Sequence, residues 1–163
     1  MAAAPSDGGT GGAFASSTNV YVTTNHGGLW TPRNLPANSG RVQELQVDAA
    51  NPLTAYACVN TFPTNNTFVW KTTTGGASWS SIQGNLPMVP AWSLQIDPNN
   101  GRLYVSNELG VYSSTDSGTT WSRFGTGLPN GQAVQIEFNR TLHMLGAATR
   151  RFDFMRDSFT FMI

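Results

Sequence analysis

The chain is 163 residues long, with nine basic and nine acidic side chains and a formal net charge of zero at neutral pH. Charged residues make up only 11% of it, against about 25% in an average globular protein, and no basic cluster occurs outside Arg150-Arg151. That excludes charge attraction to nucleic acid or an anionic membrane as the basis of its function. No apolar run is long enough for a membrane-spanning helix, and no basic start precedes an apolar core, so the sequence as given reads as soluble and without a secretion signal.

Taken in order, residues 1–12 are rich in Ala, Gly, Ser and Asp with nothing to bury, and read as a flexible leader. Period-two alternation begins near Ala13, with short strands expected at Phe14-Ala15 and Val20-Tyr21-Val22. Then comes Thr23-Thr24-Asn25-His26-Gly27-Gly28-Leu29-Trp30, the first of three related octets. The others are Thr72-Thr73-Thr74-Gly75-Gly76-Ala77-Ser78-Trp79 and Ser114-Thr115-Asp116-Ser117-Gly118-Thr119-Thr120-Trp121, with the tryptophans 49 and 42 residues apart. A period of that size signals an array of supersecondary units.

Each octet has the chemistry of a tight turn between strands. An Asp or Asn side chain accepts from backbone N–H groups, glycine supplies a positive φ, and the Trp opens the next strand over the core. A Leu-Pro follows each Trp at Leu35, Leu86 and Leu128, and then an inner strand: Leu45-Gln46-Val47-Asp48, Leu94-Gln95-Ile96-Asp97 and Val134-Gln135-Ile136-Glu137. Second strands are expected at Ala55-Tyr56-Ala57, Leu103-Tyr104-Val105 and Leu142-His143-Met144; third strands at Phe68-Val69-Trp70 and Val111-Tyr112 only. The repeat thus spans 13–148, and 149–163 is an atypical Phe- and Met-rich tail.

The octets resemble the Asp-box, or BNR repeat, of sialidases, xyloglucan-degrading glycosidases and sortilin-type receptors. The residues that carry the resemblance are Asn25, Gly27 and Trp30, then Thr74, Gly76 and Trp79, then Asp116, Gly118 and Trp121. It implies an all-β fold, a β-propeller of four-stranded antiparallel blades, with these turns on the face opposite the binding site. Counting gives three strands of an opening blade, two complete blades and one or two strands of a closing blade. About three blades cannot close a ring, since propellers need about four to eight. The expected solution is a homodimer with six blades, the inner strand near Val134 completing the partner's opening blade. A four-bladed monomer closed by the tail, or a piece of a longer propeller, are the alternatives.

Ligand sites in propellers lie where inner strands begin and where loops between second and third strands gather. Glu44 stands there, aligned with Ser93 and Ala133, and reads either as a general acid/base or as a solvated channel carboxylate. Arg41 and Glu108 are its candidate companions. Trp92, aligned with Gln43 and Gln132, either stacks on a sugar ring or plugs the core. Phe62 is a second aromatic candidate, and Arg123 is grouped with the ligand-binding residues. His26 reads as a turn residue, His143 as a strand residue replacing Tyr56 and Tyr104, and Cys58 as a small buried hydrophobe. No zinc-ligand spacing, phosphate-binding Gly-rich loop or nucleophile elbow occurs, so no metal and no cofactor are expected. The sialidase arginine triad and Tyr/Glu pair have no counterpart, and xyloglucan-degrading relatives use catalytic aspartates on two propellers where this chain holds less than one. The readings that follow are a propeller binding a small molecule or glycan, a weak or promiscuous hydrolase using Glu44 or Glu108, and a protein-binding scaffold.

Overall fold

A computed structural model describes residues 2–3, 19–128, 131–150 and 159–162. Every described element is a β-strand, and the strands form four antiparallel sheets. The first sheet joins β1 (Ala2–Ala3), β2 (Val20–Val22) and β3 (Thr31–Pro32). The second runs β4 (Val42–Val47), β5 (Ala55–Val59), β6 (Val69–Thr72), β7 (Ser80–Ser81), and the third β8 (Ala91–Ile96), β9 (Leu103–Asn107), β10 (Gly110–Ser114), β11 (Ser122–Arg123). The last joins β12 (Gln132–Asn139), β13 (Met144–Arg150) and β14 (Phe159–Met162).

Sequence neighbours pair throughout, as short turns between antiparallel strands dictate. The sheets pack in chain order by their inner edges, β4 against β8 and β8 against β12. Three cores fill the junctions. Val20, Leu35, Ala57, Val59 and Trp70 lie between the first and second sheets, Phe68, Leu94, Val105 and Trp121 between the second and third, and Tyr104, Val111 and Ile136 between the third and fourth. No packing of that extent joins the last sheet to the first among the described residues.

The three octets are one turn made three times. The hydroxyl of the first residue accepts from the N–H of the fifth at 2.9 Å in each: Thr23 from Gly27, Thr72 from Gly76, Ser114 from Gly118. The third residue accepts from the N–H of the seventh: Asn25 from Leu29 at 2.8 Å, Thr74 from Ser78 at 3.0 Å, Asp116 from Thr120 at 2.8 Å. The fourth and fifth residues have positive φ in all three, His26 at 55° and Ser117 at 60° among them, which is why glycine recurs at the fifth. His26 is thus a turn residue.

Four expectations change. The outer strands begin one residue after each Trp, at Thr31, Ser80 and Ser122, rather than at the Trp itself, because the third residue of each octet holds the N–H of the seventh inside the turn. The closing sheet has three strands instead of one or two, since β14 pairs with β13. Leu142-His143 is a turn, with Asn139 Oδ1 accepting from Thr141 N and Leu142 N and His143 at φ 53°, so β13 starts at Met144, and the residue equivalent to Tyr56 and Tyr104 in the closing sheet is Gly146, not His143. Finally, each inner strand carries a β-bulge, at Gln43, Trp92 and Val134, and matching the bulges moves the internal alignment of the closing strand by two: Glu44 and Ser93 correspond to Gln135 rather than Ala133, and Trp92 to Val134 rather than Gln132. Apart from Ala2–Ala3, which pair with β2 as a strand, the expected leader lies outside the described residues, as do the strand at Phe14-Ala15 and most of the tail.

Candidate functional site

Register fixes which residues share an end. Val42 pairs Val59 at one end of the second sheet, whereas Ala55 pairs Thr72 at the other. The starts of the inner strands and the hairpins after β5 and β9 therefore form one mouth. The three octet turns close the opposite end.

At the mouth the bulged residue of each complete sheet meets the first residue of its hairpin. In the second sheet Asn60 donates from Nδ2 to Gln43 Oε1 at 2.5 Å, while its Oδ1 accepts from Arg41 Nε at 3.2 Å. In the third, Glu108 Oε1 accepts from Trp92 Nε1 at 3.2 Å and from Gln132 Nε2, on the neighbouring inner strand, at 3.1 Å. Both bonds to Glu108 converge on one oxygen. Trp92 and Glu108 are half-buried, and Arg41 is exposed with its N–H bonded to Thr61 Oγ1 at 2.8 Å.

Glu44 does different work. Its Oε2 accepts from the Leu94 N–H of the next inner strand at 3.2 Å. Ser93, in the same place one sheet on, accepts from Ile136 N and donates to Ile136 O, both at 3.3 Å. This position stitches each inner strand to the one after it. Burial lifts the Glu44 carboxyl above the usual carboxylate range and the Glu137 charge adds to the rise, against the Ser93 hydroxyl and the Leu94 N–H. Glu44, Arg41 and Glu108 thus do not bond to one another; each has its own partner.

Phe62 stands 76% exposed on the longer hairpin, edge-on to Phe68 at 5.9 Å. Arg123 sits on the outermost strand β11, opposite Tyr112, away from the inner strands. Cys58 is fully buried, and burial pushes its thiol well up, which keeps it protonated and inert. No group of His, Cys, Asp or Glu suited to a metal ion occurs among the described residues. Sequence reasoning missed Gln43, Asn60 and Gln132 as partners at the mouth; amides that bond across loops leave no periodic signal. It also missed a cleft of about 580 Å³ at the opposite end, lined by Val22, Arg33, Val47, Leu53 and Thr74.

A second series runs along the outer edge. The Trp121 indole donates to Ile82 O of the preceding sheet at 3.0 Å, and the Trp79 indole to Arg33 O of the sheet before that at 2.9 Å. Trp30, in the first sheet among the described residues, is 44% exposed and finds no such carbonyl among them.

No family model matches the chain, and no curated protein does. Solved structures do. A GH74 xyloglucanase from Xanthomonas campestris superposes with a TM-score of 0.65 at 16% identity, over 86% of this chain and 24% of that one. An ancestral GH74 enzyme gives 0.66 at 22% identity, over 91% and 22%, and a GH74 enzyme from Niastella koreensis 0.52 at 18%, over 68% and 19%. The likeness establishes a propeller-type fold. The chain spans about a quarter or less of the length of these structures.

Proposed function

We propose that the chain is an Asp-box propeller module that binds a glycan at the mouth, with Trp92 as the stacking platform and Glu108 and Arg41 as polar anchors. The observation that carries this reading is the pinning of Trp92. It is half-buried at a bulge, outside the sheet's pairing, and its indole N–H is fixed on Glu108. A Trp oriented in advance by a carboxylate loses little rotamer freedom when a sugar ring stacks on it, and the second oxygen of Glu108 can accept from sugar hydroxyls. Glucan oligosaccharides, including xyloglucan fragments, are the first ligands to screen because the similar solved folds include a xyloglucanase.

Titration calorimetry on Trp92→Ala tests it: a loss of at least about tenfold in affinity is expected, with Phe62→Ala close to unchanged. Glycans that bind the unaltered chain no better than buffer, or that bind the Trp92 variant equally well, would sink the reading. The GH74 fold likeness favours a second reading, glycoside hydrolysis at the same mouth. In that case Glu108→Gln loses sugar release while retaining binding, because a general acid or base is gone but the acceptor oxygen remains.

A further inference from the structure

We propose that two copies of this chain exchange strands, so that β12 and β13 of one copy and β2 and β3 of the other build a single four-stranded sheet and close a six-bladed ring. The argument starts from the two connector series. On the inner strands, Glu44 caps Leu94 N and Ser93 caps Ile136 N, and the next residue in place is Gln135. Gln135 is exposed, and the corresponding amide of the first inner strand, Leu45 N, points by register away from β5 as Leu94 N does from β9. On the outer edge, the indoles of Trp79 and Trp121 reach Arg33 O and Ile82 O, each three residues past a Trp. The next carbonyl of that series is Phe124 O, and the indole still lacking one among the described residues is that of Trp30.

Both series continue together in one arrangement only. If the closing sheet of one copy and the opening sheet of another stood side by side as separate blades, then among the described residues Gln135 would meet a sheet with no inner strand, and Trp30 one with no fourth strand. If the two merge into one blade, Gln135 reaches Leu45 N of the second copy. Trp30 of the second copy then reaches Phe124 O. Each ring would hold two such composite sheets and the two complete sheets of each copy.

The strand register agrees. Carrying the β5–β6 and β9–β10 pairings forward sets Ala147 opposite Tyr21 and Ala148 opposite Val20 of the second copy. Within one chain those places are taken by Ala2 opposite Tyr21 and Ala3 opposite Val20. β1 therefore stands in, residue for residue, for the Ala147-Ala148 of a partner, and β14 covers the matching edge of β13. Among the described residues β1 pairs as far as Tyr21, and the half-buried Val22 just beyond it lines a cleft with Val47 and Leu53.

Light scattering on a sizing column, over a range of concentrations of the full chain, is the first test. The expected mass is twice the 17.5 kDa of one chain, and Trp30→Ala should weaken association by at least about tenfold. Mixing a Tyr21→Cys chain with an Ala147→Cys chain should then give a disulfide-linked dimer, because facing residues of paired strands lie within bonding reach. A monomer at every concentration overturns the proposal, as does a dimer indifferent to Trp30→Ala. So does the double variant Tyr21→Cys/Ala147→Cys if it links within one chain, since that means self-closure.

Discussion

The first and third octet turns have the same backbone, the same hydroxyl cap and the same left-handed pair, yet their tryptophans end in opposite surroundings. Trp121 is 4% exposed and bonds two carbonyls, Ile82 O and Gly118 O; Trp30 is 44% exposed. The turn is made by eight local residues. Whether its Trp becomes core is decided by the sheet beside it, and Trp79, half-buried against the small opening sheet, falls between.

The largest effect that should separate the two turns is truncation of the indoles. Trp121→Ala opens a cavity at the second junction and should cost about 3–5 kcal/mol. Trp30→Ala should cost under about 1 kcal/mol at the lowest protein concentrations, where no neighbour covers it. Denaturant unfolding of both variants checks this, and equal costs would mean that Trp30 is already covered.

Next in size are the glycines. Gly118 has φ +90° and a Cβ there would stand 2.7 Å from Ile82 Cβ, so Gly118→Ala combines backbone strain with a clash against a buried side chain. Gly101, at φ +71° with open space around it, carries the strain alone. Gly118→Ala should therefore exceed Gly101→Ala, for which about 1 kcal/mol is expected, in the same unfolding assay.

The smallest effects are electrostatic, and the two ends of the molecule should differ in sign. Hydrogen bonds from the Thr120 hydroxyl and N–H, with a further one from Ser114, lower Asp116 from 3.8 to about 2. Its contribution to stability is present above 3.8 and is lost as pH falls toward 2. Glu44 is raised from 4.5, so the folded state holds its proton more tightly and stability declines as pH rises upward from 4.5. Asp116→Asn should flatten the acid limb of a stability–pH profile and Glu44→Gln the limb above it. A Glu44→Gln profile that keeps its slope there would refute the assignment.

The octets were legible in the sequence because glycine, Trp and hydroxyl positions are set by backbone conformation within eight residues. The inner strands were legible too, through their period of two. The bulges were not, nor was the alignment of the closing strand: Val134-Gln135-Ile136-Glu137 imitates Leu45-Gln46-Val47-Asp48, and a slip of two residues leaves a period-two pattern unchanged. The apolar run Leu142-His143-Met144 misled in the same way, because the Asn139 cap that makes it a turn is a single side-chain contact. At the mouth, Glu44 and Trp92 stood out as departures from the repeat. That one stitches strands and the other leans on Glu108 depends on contacts 16 to 50 residues apart in the chain.

Each bulge sets one residue of an inner strand outside the ladder, and those residues are Gln43, Trp92 and Val134: an amide, an indole and a branched alkyl group at equivalent places. Because the register on either side does not depend on what stands there, these positions can be exchanged with little cost to folding. The scaffold thus keeps three replaceable letters at its mouth, which evolution or a designed library can rewrite one at a time to change what is recognised.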